Sequence, residues 1–288
     1  MKTILITGAA GGIGTFLRHE FCNCYNLRLS DMVPISNCNS NETFIQSNLE
    51  DLTATQEIVA GVDGIVHLGG YSVEGDWSTL LPANIIGTYN LFEAARIQTV
   101  KRIIFASSNH AVGFYGRNDV IDHTAAFRPD SRYGLTKVFG EALGSLYADK
   151  YGAEVLNIRI GNVGEKPIDV RRLSIWISSR DIAQLISIGL EHPDIKYEVV
   201  YGMSDNKRAW WDNSNAKRLG YVPEDRSEDY AEQVFVEHSS DTGDELADML
   251  QGGAFVTGES FPNPAKKKKN SYTTSTLTQL FGRNLYSR

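Results

Sequence analysis

The sequence predicts an α/β protein built on a doubly wound parallel sheet, with a small C-terminal lobe beside it. Three observations lead to this fold class. Short β-branched runs alternate with amphipathic stretches of roughly 10–20 residues along the first part of the chain. A glycine-rich turn, TGAAGGIG, follows the first run directly, and an aspartate follows the second. Beyond residue 160 the alternation becomes less regular, which indicates a smaller second part.

The elements of the first part can be placed in order along the chain. The predicted strands are 2–7, 26–30, 43–46, 64–68, 102–107 and 154–160, and the predicted helices are 12–24, 51–60, 79–98 and 131–151. Such βαβ units have right-handed crossovers, so we expect a parallel sheet that is covered on both faces.

Fewer helices and strands are predicted after residue 160. A helix is expected at 181–192, a strand at 197–202 (YEVVYG) and a helix at 210–220 (WWDNSNAKRLG), which begins at an Asp/Asn/Ser cap. We therefore predict a sheet domain at 1–160 and a small lobe at 161–264 that packs on it.

Charge is distributed unevenly along the chain. The formal net charge is −7, yet residues 265–288 carry four lysines, two arginines and no acid, which leaves −13 on residues 1–264. An acidic body argues against nucleic acid as a partner. The basic tail is polar and has no strong period, so we predict that residues 265–288 are disordered.

The cysteines and the N-terminus predict a cellular location. Cys22, Cys24 and Cys38 are odd in number, which suits free thiols in a reducing compartment. The Cys-x-Cys spacing is wrong for a zinc site, so no metal is expected. The chain opens with MKTILITG, without a signal-peptide layout, and has no apolar run of about 18 residues. We predict a cytoplasmic protein without a membrane partner.

The glycine-rich turn has the context of a phosphate-binding loop. Glycines in this turn allow tight folding and close backbone approach, so that a pyrophosphate can lie on the N-terminus of the next helix. Asp31, 23 residues after Gly8, could bind an adenosine ribose and would repel a 2′-phosphate. No Lys or Arg follows it within ten residues, so NAD is predicted rather than NADP. The loop residues predicted to contact NAD are Gly8, Gly11, Gly12, Ile13 and Gly14.

A second constellation indicates acid–base chemistry. Tyr133 and Lys137 are four apart on a predicted helix and share one face. A free tyrosine has a pKa near ~10, and a lysine cation together with a positive nicotinamide ring would favour the phenolate. Ser108, at the end of the fifth strand, could hold the reacting hydroxyl against Tyr133. The spacing Y-x-x-x-K also occurs by chance on many helices, so the prediction depends on its combination with the glycine loop and Ser108.

These motifs resemble extended short-chain dehydrogenases/reductases, and among them the uronate dehydrogenases. The likeness covers nearly all of residues 1–256. Its segments are GIVHLGGYSVE (64–74), NIIGTYNLFEAAR (84–96), FASSNH (105–110), RPDSRYGLTKVFGE (128–141), RRLSIW (171–176), WWDNS (210–214) and QGGAFV (251–256). Such long shared stretches are far more specific than the glycine and tyrosine motifs alone.

The resemblance implies that NAD⁺ oxidises C1 of a pyranose hexuronate, such as D-glucuronate or D-galacturonate, to an aldarolactone. It makes Tyr133 the base and gives Lys137 a role in ribose binding and in tuning Tyr133. The implied substrate contacts are Ser72, Ser108, Asn109, His110, Tyr133, Asn162, Arg171 and Phe255. The further implied NAD contacts are Asn48, Leu49, Leu68, Gly69 and Gly70.

Some of these roles have alternatives. The uronate carboxylate calls for a guanidinium fork, which Arg171 supplies by resemblance, and its neighbour Arg172 is then a structural or surface residue. His110 could instead be a cap or core histidine, and Phe255 could be ordinary packing. Asn162 stands where the uronate dehydrogenases have a serine, so sugar preference could differ.

Two rival functions remain open at this point. A nucleotide-sugar epimerase or dehydratase shares the fold, although only about 100 residues are left to hold a nucleotide diphosphate. A non-catalytic NAD-sensing protein would keep the NAD domain but usually lose the tyrosine–lysine pair. By analogy with the superfamily, the helices at 79–98 and 131–151 are expected to pair subunits in a homo-oligomer.

Overall fold

Seven parallel strands form the central sheet of the computed structural model, in the order β3-β2-β1-β4-β5-β6-β9. The structure describes residues 1–240 and 242–258, so the predicted disordered tail lies outside the described residues. The strands are β1 (Thr3–Thr7), β2 (Asn26–Asp31), β3 (Glu42–Gln46), β4 (Gly64–His67), β5 (Arg102–Ser108), β6 (Glu154–Ile160) and β9 (Tyr197–Gly202). Strand order reverses between β1 and β4, and ligands of open α/β sheets bind at such a switch point. The predicted doubly wound α/β sheet is confirmed.

Helices cover both faces of this sheet. They are α1 (Gly12–Glu20), α2 (Leu52–Val59), α3 (Trp77–Leu80), α4 (Gly87–Ile97), α5 (Arg132–Tyr151), α6 (Arg172–Ile175), α7 (Ser179–Glu191), α8 (Ser214–Arg218), α9 (Ala231–Glu237), α10 (Glu245–Met249) and α11 (Ala254–Thr257). A π-helix (Leu81–Ile86) joins α3 to α4, so the predicted helix 79–98 is one helical stretch with a wider turn inside it. In the described part of the chain, no helix has the length and apolar character needed to cross a membrane.

The core has two layers because strand side chains alternate between the faces of the sheet. Ile4 and Ile6 of β1 face the layer that contains α1 and α7, whereas Leu5 faces the layer that contains α2, α4 and α5. All three are at most 1% exposed. Each such side chain stabilises the fold by about 1.5–3 kcal/mol through its burial.

Residues after 160 contribute to this sheet and also form a second, two-stranded sheet. β9 pairs with β6, and α7 packs on the sheet, so the predicted strand 197–202 and helix 181–192 are confirmed as parts of the main core. Two short strands, β7 (Asn162–Val163) and β8 (Trp176–Ile177), form a second parallel sheet just beyond the end of β6. The domain boundary at residue 160 stays a prediction.

The predicted helix 210–220 forms only over α8. Trp210 and Trp211 are buried, and Trp211 stacks on Tyr201 of β9 with ring centroids 4.8 Å apart. Packing of these two large rings therefore overrides the local helical pattern. The third hydrophobic cluster, to which they belong, also contains Val112 and Ile175.

Strand register brings the carboxyl ends of the central strands together. Thr7 is level with His67 across β1 and β4, and Ser108 is level with Ile160 across β5 and β6. The glycine loop and the segments that follow β4, β5 and β6 all leave the sheet at this edge. The predicted site residues from four separate segments thereby reach one region.

Candidate active site

The glycine loop between β1 and α1 has the geometry of a phosphate cradle. Gly8 has φ +68°, a conformation that favours glycine. A Cβ on Gly14 would stand 2.6 Å from the carbonyl oxygen of Ala9, so α1 approaches the loop too closely for a larger residue. Gly12, by contrast, has no protein atom within 4 Å of its Cβ position. No side chain caps α1 at Gly11, which leaves N–H groups of the first helical turn to a ligand.

Asp31 ends β2 beside this loop. Its Oδ2 accepts a hydrogen bond from the Ala10 N–H (3.0 Å), and its Oδ1 accepts one from the Val33 N–H (2.9 Å). A carboxylate has about four acceptor positions, so Asp31 can still accept hydrogen bonds from ribose hydroxyls. The residues present therefore fit the adenosine end of NAD.

The other residues predicted to contact NAD lie along the same edge of the sheet. Asn48 is exposed, and its Oδ1 accepts a hydrogen bond from the Glu50 N–H (3.1 Å). Leu49 packs against Gly69, where a Cβ would stand 2.9 Å from the leucine Cδ1. Gly70 has φ +136°, which again favours glycine. Leu68 and Ile13 are half-buried and pack against the hydrophobic core.

Tyr133, Lys137 and Ser108 come together between β5 and α5, as predicted. Tyr133 lies in the first turn of α5, where its N–H donates to the Glu74 Oε2 (2.9 Å). The Lys137 Nζ donates to the Ala106 carbonyl of β5 (2.8 Å) and lies 5.5 Å from the centroid of the Tyr133 ring. The phenol, the ammonium group and the end of β5 are thus held in one cluster.

Burial dominates the electrostatics of this cluster in the protein alone. Burial raises the pKa of Tyr133 to about 12, which Ser108 opposes by a side-chain hydrogen bond and Asp130 reinforces by its charge. Burial also lowers the pKa of Lys137 to about 8. The predicted lowering of the tyrosine pKa concerns the complex with NAD⁺ and stays a prediction, whereas in the protein alone burial is the largest cause of the shift.

Arg171 is a half-buried cation held by a backbone carbonyl. Its Nε and one terminal nitrogen donate to the Gln251 carbonyl oxygen at 3.0 and 2.6 Å. Burial lowers its pKa to about 10, and the charges of Arg172 and Arg117 act in the same direction. Among the described residues no carboxylate forms an ion pair with Arg171, whereas Arg172 pairs with Asp169. Such a guanidinium is suited to an incoming anion.

Asn109 links this arginine to the end of the sheet. Its side-chain amide fits the surroundings when its nitrogen donates to the Ile160 carbonyl (3.1 Å) and its oxygen accepts from the Arg171 guanidinium (3.2 Å). Two predicted substrate contacts are therefore hydrogen-bonded to each other.

Aromatic rings form one wall of the cluster. His110 and Phe255 stack with centroids 3.8 Å apart and planes 20° apart. Tyr133 meets both rings obliquely, at 5.8 Å from His110 and 6.0 Å from Phe255. The structure thus places Phe255 of the C-terminal segment beside the tyrosine.

Ser72 and Asn162 are less tightly placed. Ser72 is exposed in the segment between β4 and α3, and Asn162 is half-buried in β7, where its backbone pairs with Trp176. Neither side chain forms a hydrogen bond with another described residue. Their roles in substrate binding stay predictions.

Four residues around the site were missed in the sequence analysis: Glu74, Asn84, Asp130 and Gln251. Asn84 lies in the π-helix, where its amide bonds both backbone groups of Tyr71 (2.7 and 2.9 Å) and the Thr136 hydroxyl of α5 (3.0 Å). Gln251 is buried, and its side chain bonds Trp211 and the carbonyls of Gly116 and Asp119. Polar residues inside apolar or glycine-containing segments were the available signal for these positions.

The described residues contain no group of three or more His, Cys, Asp and Glu side chains arranged to hold a metal ion. Cys22, Cys24 and Cys38 are free, exposed thiols.

Together, the sheet, the glycine loop and Asp31 define a dinucleotide-binding protein of the Rossmann class, with a Ser-Tyr-Lys cluster at its switch-point edge. Residues 4–171 match the model of the NAD dependent epimerase/dehydratase family. The chain belongs to this family, and the predicted NAD cofactor is confirmed.

Known relatives narrow the likeness within this family. The uronate dehydrogenase of Pseudomonas putida is 44% identical over 260 residues, which cover 90% of this chain and 97% of that protein. A solved glucuronic acid dehydrogenase from Chromohalobacter salexigens is 44% identical with a TM-score of 0.87, covering 90% and 97%. A tyrosine-to-alanine variant of uronate dehydrogenase from Agrobacterium tumefaciens, complexed with NAD, is 40% identical with a TM-score of 0.88, covering 91% and 100%. The predicted resemblance to uronate dehydrogenases is confirmed.

Proposed function

We propose that this protein is an NAD-dependent dehydrogenase that oxidises C1 of a hexuronate, such as D-glucuronate or D-galacturonate, to the aldarolactone. The observation that carries this proposal is Arg171, a half-buried guanidinium that forms no ion pair with an acid among the described residues. It is joined through Asn109 to the strand end that holds Ser108. A sugar with a carboxylate would supply the missing counter-charge.

The reacting end of the sugar would lie at Tyr133. Bound NAD⁺ supplies a hydride acceptor and a positive charge. Tyr133 accepts the proton of the C1 hydroxyl at its phenolic oxygen, and Ser108 holds that hydroxyl by a hydrogen bond. Lys137 stays in place through its bond to the Ala106 carbonyl and favours the phenolate by its charge. Because C1 is a hemiacetal carbon, loss of its hydride and of the hydroxyl proton gives a lactone without an acyl-enzyme.

The remaining predicted contacts would recognise the rest of the ring. Arg171 would bind the carboxylate through the N–H groups of Nη1, which Gln251 and Asn109 leave free, while Asn109, His110 and Ser72 would bind hydroxyl groups. Phe255, stacked on His110, would offer an apolar surface to the C–H face of the sugar. Asn162 would contact a hydroxyl from the side of β7.

The direct test is NADH formation with a panel of uronates and of the matching neutral sugars. We expect oxidation of at least one hexuronate, with kcat/KM for its neutral counterpart lower by about 100-fold or more, because only the uronate offers a charged partner to Arg171. Tyr133→Phe should lose this activity and still bind NAD. Unchanged activity in this variant would show that the site assignment is wrong.

A nucleotide-sugar epimerase or dehydratase is the second candidate, favoured by the match to the epimerase/dehydratase family over residues 4–171. Such an enzyme would convert a UDP-sugar while its NAD stays bound. Release of NADH with a free uronate supports the dehydrogenase instead. A non-catalytic NAD sensor is disfavoured because Ser108, Tyr133 and Lys137 are all present and assembled.

We also propose that the protein forms a homo-oligomer in the cytoplasm. α4 and α5 lie side by side, joined by the Tyr147 hydroxyl and Glu93 (2.8 Å). Large apolar side chains stay exposed along this pair of helices: Ile86, Tyr89, Ile97, Leu135, Leu146 and Tyr151. A second copy of the chain would cover them, and sedimentation velocity would measure the resulting mass. The three exposed, free thiols suit a reducing compartment.

A further inference from the structure

His110 presents only one of its two ring nitrogens to the site. The residue lies in the 3-10 turn after β5 (Asn109–Val112), where its ring is held between Phe255 and Tyr133. Its Nδ1 lies 2.7 Å from the Oδ2 of Asp130. Among the described residues its Nε2 forms no hydrogen bond, and this atom is not fully buried. The Nε2 is therefore the atom that remains for a ligand.

Asp130 is fixed from several directions. Its side chain is 0% exposed, and its Oδ1 accepts a hydrogen bond from the Ser131 hydroxyl (2.7 Å). Gly113 and Gly252 pack against the carboxylate so closely that a Cβ on either would stand 1.7 or 2.0 Å from Oδ2. Backbone from two segments thus encloses the group, which leaves it little room to turn away from His110.

We propose that Asp130 is a positioning residue, which keeps a proton on Nδ1 of His110 and thereby presents Nε2 as the acceptor for a hydroxyl proton of the bound sugar. A carboxylate can only accept, so the nitrogen that faces it must donate. In the neutral ring the opposite nitrogen then carries a lone pair. The proposal rests on the proposed function, because it needs a polyhydroxylated substrate beside Tyr133.

A simple structural role for Asp130 at the start of α5 does not account for these contacts. Ser131 already caps the helix, since its hydroxyl accepts from the Gly134 N–H at 2.9 Å. Asp130 bonds that serine through Oδ1, but directs Oδ2 to the histidine. The carboxylate oxygen that faces the site therefore has the ring nitrogen as its partner.

Asp130→Asn tests the proposal with almost no change in shape. The new amide can donate to Nδ1, which moves the proton of the neutral ring to Nε2 and turns an acceptor into a donor. We expect KM for the uronate to rise about 10-fold, with KM for NAD unchanged. Asp229→Asn is the matched control, because it makes the same chemical change at an exposed carboxylate that pairs with Arg226. It should leave both constants unchanged.

A double-mutant cycle separates positioning from stability. If Asp130 acts through His110, Asp130→Asn should change KM less than about twofold in a His110→Ala background. An equal increase in both backgrounds would overturn the proposal. A wild type that oxidises no uronate would instead overturn the proposed function.

The tautomer can be measured without substrate. The ¹⁵N shifts of His110 in the wild type should show a protonated Nδ1, and those of Asp130→Asn a protonated Nε2. A neutral wild-type ring protonated only at Nε2 would contradict the assignment, even if the variant failed to fold.

Discussion

Arg171 is held by a neutral partner rather than by an acid. Its partner is the Gln251 carbonyl, which offers no charge, while its neighbour Arg172 pairs with Asp169. Two adjacent arginines of RRLSIW are thus separated by environment into a candidate anion site and a salt bridge. The sequence analysis favoured Arg171 only by resemblance, and the geometry supplies a physical reason.

Replacing these two arginines should therefore have unequal effects. Arg171→Ala is expected to raise KM for the uronate by about 10–100-fold, because a charged hydrogen-bonding partner of the carboxylate is lost. Arg172→Ala is the matched control and should change KM less than about threefold, since its partner is Asp169. Steady-state kinetics with uronate at saturating NAD measures both. Equal effects would remove Arg171 from the carboxylate site.

Tyr133 predicts how the rate depends on pH. A base must be deprotonated, and burial raises the pKa of this phenol to about 12 in the protein alone. Activity should therefore rise with pH across roughly pH 6 to 9 and be lost as pH falls, with bound NAD⁺ moving the rise to lower pH than the phenol alone would give. Lys137→Met should move the rise to higher pH. A pH profile of kcat/KM that stays flat, or falls, over this range would exclude Tyr133 as the base.

At the scale of elements, α5 is the part that assembles the chemistry. Tyr133, Lys137 and Glu141 lie at spacings of four on its buried face. Glu141 forms a bidentate pair with Arg159 of β6 (3.0 and 2.9 Å) and accepts from the Ser107 hydroxyl of β5 (2.5 Å). This buried network ties α5 to two strands and so fixes Tyr133 relative to the end of β5.

The glycine loop allows a matched pair of substitutions. Gly14→Ala would place its Cβ 2.6 Å from the Ala9 carbonyl, so we expect a loss of about 1–3 kcal/mol in the free energy of unfolding. Gly12→Ala meets no protein atom within 4 Å and should keep the thermal midpoint. The methyl group of Ala at position 12 would instead occupy space where the pyrophosphate is expected to bind, and this should raise KM for NAD. Identical behaviour of the two variants in thermal melts and NAD titrations would contradict this assignment.

The elements that carry strong periodicity were predicted from sequence, and the short ones were not. All seven strands of the main sheet were expected within about two residues of their observed ends. The two-residue strands β7 and β8 were missed, because two residues show no alternation. The π-helix was hidden because it continues an apolar helical pattern.

The site was predictable where motif and strand end coincide. Ser108, Tyr133 and Lys137 follow from that logic, since register and helical spacing fix where they meet. Asp130 and Gln251 do not, because their roles depend on how loops fold back over the sheet. The burial that raises the pKa of Tyr133 in the protein alone could not be read from the spacing of Tyr133 and Lys137 either.

At the scale of the whole molecule, the sheet collects every functional segment at one edge. The strand order reverses between β1 and β4, so the glycine loop opens beside the segment that follows β4. β5 adds Ser108, and β7, which follows β6, adds Asn162. The C-terminal segment brings Phe255 onto His110. The residues predicted to bind NAD and the substrate thereby lie at the same end of the sheet.

The central claim is that an anionic sugar, bound between Tyr133 and Arg171, loses its hydride from C1. The most direct measurement is ¹³C NMR of D-glucuronate labelled at C1, incubated with the protein and NAD⁺, with NADH counted in the same sample. The account predicts that the hemiacetal C1 signal is replaced by that of a lactone carbonyl, with one NADH formed per sugar. Formation of NADH while the C1 signal stays hemiacetal, or conversion of a sugar without net NADH, would contradict it.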